Sequence, residues 1–173
     1  MRDEAYELWY EHFSGMIRLN PRWDSYDALM LQLLRSKVRP LKVLEIGFTR
    51  KKSMWSKDRC FTQQMDWLAE NGYAKCLSVT SDEAALGKQY KHVMEFVPVE
   101  GAEIDLKNTE FYSGFEKLSD CDLYVIGEAA GNIYGWSYIK SGALVAVDPD
   151  SGFGNIPDAK KIHSGFMTIW RKN

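Results

Sequence analysis

The chain is 173 residues long, 45% hydrophobic and 13% aromatic, enough to bury a sizeable core as one domain and too short for a second independent one. Its 22 lysines and arginines stand against 24 aspartates and glutamates, so no overall field draws it to a membrane surface or to nucleic acid, which is not an expected partner. No apolar run nears the roughly 20 residues that cross a bilayer, Met1-Arg2-Asp3-Glu4 has no signal-like pattern, and three widely spaced cysteines (Cys60, Cys76, Cys121) suit buried free thiols, so a soluble cytoplasmic protein is expected.

The first periodic segment runs from Tyr6 to Ile17, with Leu8, Trp9, His12, Phe13, Met16 and Ile17 at helical spacing, and Asn20-Pro21 ends it. A second helix follows, capped by Asp24 or Ser25, with Leu29, Met30, Leu33 and Leu34 on its apolar face and a stop at Arg39-Pro40. Short aliphatic runs then recur as strand candidates at Lys42 to Ile46, Cys76 to Thr80, Met94 to Val99, Asp122 to Ile126 and Ala143 to Val147. All but the third are almost continuously apolar, as parallel strands covered on both faces are. Helical segments are predicted between them: one capped by Ser56 and stopped by Asn71-Gly72, a shorter one over Asp82 to Tyr90, one over Glu110 to Leu118, and an irregular one over Asn132 to Lys140 that contains Gly135. The last run, Gly165 to Trp170, alternates and predicts an antiparallel strand. The expected fold is α/β: a Rossmann-like, mostly parallel sheet of about six strands with helices on both faces and two N-terminal helices. It forms one domain over 1–173, with a helical segment 1–40 ahead of an α/β core 41–173. Any pocket should border Gly47, Thr80 and Gly127, where three strands end.

This order of elements, together with Val43-Leu44-Glu45-Ile46-Gly47, resembles the class I S-adenosylmethionine-dependent methyltransferases over residues 41 to 173. The resemblance implies S-adenosylmethionine as cofactor and methyl transfer to a small molecule. It implies cofactor-binding roles for Glu45, Gly47 and Ser53 at the first turn, for Thr80 and Asp82 after the second strand, for Glu100, Gly101 and Ala102 after the third, and for Gly127 after the fourth. Glu128 and Asp148, after the fourth and fifth strands, are the implied catalytic bases.

Two features depart from that family. Lys51 and Lys52 stand where glycines let backbone approach the cofactor, and Thr80 stands where a ribose-binding acid is the rule. They support a second reading, a degenerate and inactive fold kept as a binding or assembly module. An enzyme and a binding module are thus the two functional readings, with a small molecule or a protein as partner. Arg50, Lys51 and Lys52 read as a solvated loop or an anion site at a helix start, and Asp148-Pro149-Asp150 as a turn. His12, His92 and His163 form no ligand spacing, and no metal is expected. The two N-terminal helices, rich in aromatics, could cover the sheet, close over a ligand, or join subunits into an oligomer.

Overall fold

The computed structural model describes residues 3–36, 38–47, 60–79, 90–96, 104–107, 115, 117–127, 133–151 and 155–173. The helices predicted over Asp82 to Tyr90 and Glu110 to Leu118 lie largely outside the described residues, and the cap at Ser56 and the strand residues 97–99 lie wholly outside them.

The first helix, α1 (Glu4–Ile17), starts where Asp3 accepts the Ala5 amide at 2.9 Å, with Glu4 and Glu7 in its first turn. Its periodic apolar residues divide between two faces. Trp9, Phe13 and Ile17 are buried with Ala5 and Tyr6, whereas Leu8 and Met16 stay exposed. The second helix, α2 (Trp23–Leu33), has Arg22 at its N-cap and no side-chain cap bond, which corrects the expectation that Asp24 or Ser25 caps it. Ser25 lies within the helix and accepts the Met167 amide at 3.0 Å instead. The Trp9 and Trp23 rings stack at 5.4 Å and 8°, and Tyr6 donates its hydroxyl to Asp27. These contacts hold α1 against α2.

The strands are β1 (Leu41–Ile46), β2 (Ala74–Val79), β3 (Val93–Phe96), β4 (Ile104–Asp105), β5 (Leu123–Ile126), β6 (Ile133–Tyr134), β7 (Leu144–Val147), β8 (Ala159–Ser164) and β9 (Thr168–Lys172). Between β1 and β2 runs α3 (Phe61–Glu70). Its C-terminus closes with the Tyr73 amide on the Leu68 carbonyl at 2.8 Å and Gly72 at φ 73.

Seven strands form one sheet in the order β3-β2-β1-β5-β7-β9-β8. β1, β2, β3, β5 and β7 are parallel, and β9 runs antiparallel between β7 and β8. The sheet thus has one strand more than the six expected, because β8 was not anticipated. Alternation divides its side chains between two apolar cores. Leu41, Val43, Cys76, Val125 and Ala146 pack with α1, α2 and α3, while Leu44, Leu77, Tyr124, Ile126 and Val145 pack on the other face against Leu106, Phe115, Ile133, Trp136 and Ile139. The N-terminal helices therefore cover one face of the sheet.

The helix expected over Asn132 to Lys140 is not formed. Ile133–Tyr134 pairs with Ile104–Asp105 as a two-stranded parallel ribbon, Gly135 turns at φ 84, and only Trp136–Tyr138 makes a single 3₁₀ turn. Cys60, Cys76 and Cys121 are buried thiols outside any disulfide, and no helix among the described residues is long and apolar enough to cross a membrane.

Candidate functional site

The chain builds outward from β1 in two directions, β2 and β3 to one side and β5 and β7 to the other, so β1 and β5 flank the point where strand order reverses. Open α/β sheets bind ligands outside the carboxyl ends of the strands at such a point. Three residues stand side by side along this edge. The Gly47 amide donates to the Val79 carbonyl at 3.2 Å, Gly127 to Ile46 at 2.7 Å, and Asp148 to Ile126 at 2.9 Å. Gly47 leaves β1 at φ 81, a left-handed conformation that favours glycine. No side chain at Gly47 or Gly127 stands between the backbone of this edge and a ligand.

Below the edge, on the face covered by the helices, lies a layer of buried polar groups. Glu45 is 1% exposed. Its Oε1 accepts the Thr62 hydroxyl of α3 at 2.7 Å and the Ser78 hydroxyl of β2 at 3.1 Å, and Ser78 is its register partner across the β1–β2 ladder. The carboxylate thus ties β1, β2 and α3 together. Asp148 is also 1% exposed, and the Arg22 guanidinium donates to its Oδ2 at 2.5 Å. The same guanidinium lies over the Phe166 ring, 4.5 Å from its centroid. Asn20 donates to the Cys60 sulfur at 3.5 Å, and its Oδ1 accepts the Arg22 amide at 2.9 Å. Burial pushes the Tyr26 hydroxyl well above its ordinary pKa, helped by Cys60, Glu45 and Asp148 and opposed by Arg22. A charge buried this deeply is tolerated because it is paired and hydrogen-bonded.

Ser25 and His163 approach to 3.2 Å. Because Ser25 is buried and its oxygen accepts the Met167 amide, the pair fastens α2 to the β8–β9 hairpin rather than presenting a nucleophile. Among the described residues, no group of three His, Cys, Asp or Glu side chains is placed to hold a metal ion.

One strand further along the same edge is a cleft of about 120 Å³, lined by residues that include Asp148, Asn155, Lys161, Phe166, Thr168 and Trp170. The Lys161 ammonium lies 5.0 Å from the centroid of the Trp170 ring in its wall. This cleft borders Asp148, not Gly47 or Gly127.

Of the residues implied by the family resemblance, the fold brings Glu45, Gly47, Gly127 and Asp148 to one edge. Ser53, Thr80, Asp82, Glu100, Gly101, Ala102 and Glu128 lie outside the described residues, as do Arg50, Lys51, Lys52 and Trp55. Arg22, Thr62 and Ser78 were not singled out in the sequence. The period-2 alternation that puts Ser78 beside Glu45 could have found the serine, whereas nothing local marks Arg22 as buried.

The sheet has the doubly wound order with one antiparallel strand let in beside its last edge strand. This is the Rossmann-like, mostly parallel α/β sheet expected from the sequence. No protein-family model matches the chain, and no curated protein matches it in sequence. Among solved structures, the chain is similar to the MycE methyltransferase of the mycinamycin biosynthetic pathway, determined in complex with magnesium and SAH. The two are 10% identical with a TM-score of 0.46, and 99% of this chain covers 49% of that one. The chain thus spans about half the length of MycE. It is also similar to a protein described as a ribosomal RNA methyltransferase from Plasmodium falciparum, at 12% identity and a TM-score of 0.47, with 100% of this chain covering 98% of that one.

Proposed function

We propose that the protein binds S-adenosylmethionine across the carboxyl ends of β1, β2 and β5 and passes its methyl group to a small molecule. The observation that carries this reading is the glycine pair at the strand-order reversal, Gly47 at φ 81 beside Gly127, which leaves backbone open to a flat or extended ligand. In such a site the protein aligns an acceptor oxygen or nitrogen with the methyl group, and a base takes the acceptor's proton where one must leave. Glu128 is the better candidate for that base, because Asp148 is committed to Arg22.

A second reading is favoured by a specific observation. Both carboxylates described at this edge, Glu45 and Asp148, are engaged in buried bonds that join secondary-structure elements, and Lys51 and Lys52 replace the expected glycines. On this reading the fold is an inactive module whose polar layer serves stability.

Titration calorimetry with S-adenosylmethionine and its demethylated product separates the two. Binding is expected in the parent chain, and it should tighten when Lys51 and Lys52 are both replaced by glycine. No heat with either ligand, in either protein, removes the enzyme and leaves the module.

A further inference from the structure

The cleft at the end of β7 has a cation in its wall that the buried polar layer does not use. Its volume is about 120 Å³, and Asp148, Asn155, Lys161, Phe166, Thr168 and Trp170 are among the residues that line it. Asp148 brings no net charge, because the Arg22 guanidinium donates to its carboxylate and both side chains are buried. Lys161 differs. It is exposed on β8, and its ammonium lies 5.0 Å from the centroid of the Trp170 ring, its register partner across the β8–β9 ladder. Among the described residues it has no carboxylate partner. The ring attracts the ammonium without supplying an oxygen acceptor, so the N–H donors remain open to an anion.

Charge and size select the occupant. With Asp148 neutralised by Arg22, the described walls carry a single positive charge, which matches one carboxylate and falls short of a phosphate dianion. The Asn155 amide and the Thr168 hydroxyl are neutral donors in the same walls. Aromatic surface comes from Trp170 and from Phe166, which is 43% exposed and carries the Arg22 guanidinium 4.5 Å from its ring centroid. An apolar cavity of roughly 150 Å³ holds benzene, so a cleft of this size and open to solvent has room for one six-membered ring. We propose that the cleft binds a single-ring aromatic carboxylate, its carboxylate on Lys161 and its ring against Phe166 and Trp170. The strand order β1-β5-β7, with neighbours about 4.8 Å apart, sets a ligand beside Asp148 one strand from Gly127 and two from Gly47. A molecule held there is well placed to be the methyl acceptor, a role that rests on the S-adenosylmethionine reading above, whereas the binding itself does not.

The test is titration of the whole chain with benzoate, followed by NMR of the ligand and of the protein's indole N–H signals. Benzoate should bind with a Kd on the order of 1 mM. Benzamide has the same shape without the charge and should bind about fivefold more weakly. Cyclohexanecarboxylate keeps the charge without the aromatic ring and should also lose about fivefold. Lys161→Met should erase the preference for benzoate over benzamide while leaving the circular dichroism unchanged, since Lys161 is exposed. Benzoate that binds no tighter than benzamide, or equally well after Lys161→Met, overturns the inference. So does phenyl phosphate that binds more tightly than benzoate, which would make the cleft a phosphate site. Calorimetry with S-adenosylmethionine and its demethylated product is run separately. Benzoate held by Lys161 with no heat from either compound keeps this site and removes the methyl-transfer reading, and heat from them without benzoate binding does the reverse.

Discussion

Arg22 and Asp148 are 126 positions apart in sequence and form a buried ion pair at the carboxyl edge of the sheet. The pair joins the start of α2 to the end of β7, with Phe166 of the β8–β9 turn stacked on the guanidinium. Leaving one buried charge without its partner typically costs about 3–5 kcal/mol, more than the net contribution of the intact pair. Asp148→Asn or Arg22→Met should therefore lower the free energy of unfolding by about that amount. The double variant should lose less than the two single losses combined, with a coupling of about 1–3 kcal/mol. Urea denaturation of the four proteins checks this, and a loss below about 1 kcal/mol in both single variants would show that the pair is not buried in solution. Asp148 illustrates why one carboxylate at a strand end is weak evidence for catalysis. Its position matched a family pattern, but its partner comes from a helix whose approach no local signal announces.

At the scale of elements, two glycines make opposite predictions. Gly135 turns at φ 84, and an added Cβ would lie 3.3 Å from both the Asp105 carboxylate and the Lys107 amide, so Gly135→Ala should destabilise the fold by about 1–2 kcal/mol. Gly15 lies in α1 with open space around it, and in dilute solution Gly15→Ala should stabilise by up to about 1 kcal/mol. Shifts of the denaturation midpoint in the same direction for both would contradict this assignment. Gly135 also shows where the sequence misled. Its neighbours Ile133, Trp136 and Ile139 have the spacing of an apolar helical face, and all three are buried on one side, but a strand, a left-handed turn and a 3₁₀ turn bury them instead. The parallel strands β1, β2, β5 and β7 were readable because each is a short, largely aliphatic run covered on both faces. β8 was not, because Ala159-Lys160-Lys161-Ile162-His163-Ser164 is an edge strand with little buried surface and its position comes from pairing with β9. The same contrast divides the site. Glu45 and Gly47 stand out as an acid and a glycine ending an apolar run, whereas Thr62 and Arg22 acquire their roles only through packing.

Across the whole molecule, both cores bury groups that can lose a proton in alkali. Burial pushes the Cys121 thiol up from its ordinary 9.0 to about 12, and it pushes Cys76, Tyr26 and Tyr124 well above their ordinary values. Tyr90 is raised from 10.0 to about 12, also chiefly by burial. Each of these groups stays protonated in the fold at a pH where the unfolded chain has released its proton. Below pH 9.0 both states hold the Cys121 proton, and its effect on stability is constant. Between that value and about 12 the unfolded state binds fewer protons, so stability falls with rising pH at ~1.4 kcal/mol per unit for each such group. The phenols join above 10.0, which makes the decline steeper rather than moving its onset. Cys121→Ala removes one of the titrating groups. It should lower stability at neutral pH through the small cavity it leaves, yet lose stability more slowly than the parent between pH 9 and 12. Denaturant midpoints measured across that window should therefore converge as pH rises. Parallel decline in the two proteins would mean that the thiol is not kept protonated by the fold, and that the core on the β5 face is open to solvent near Cys121.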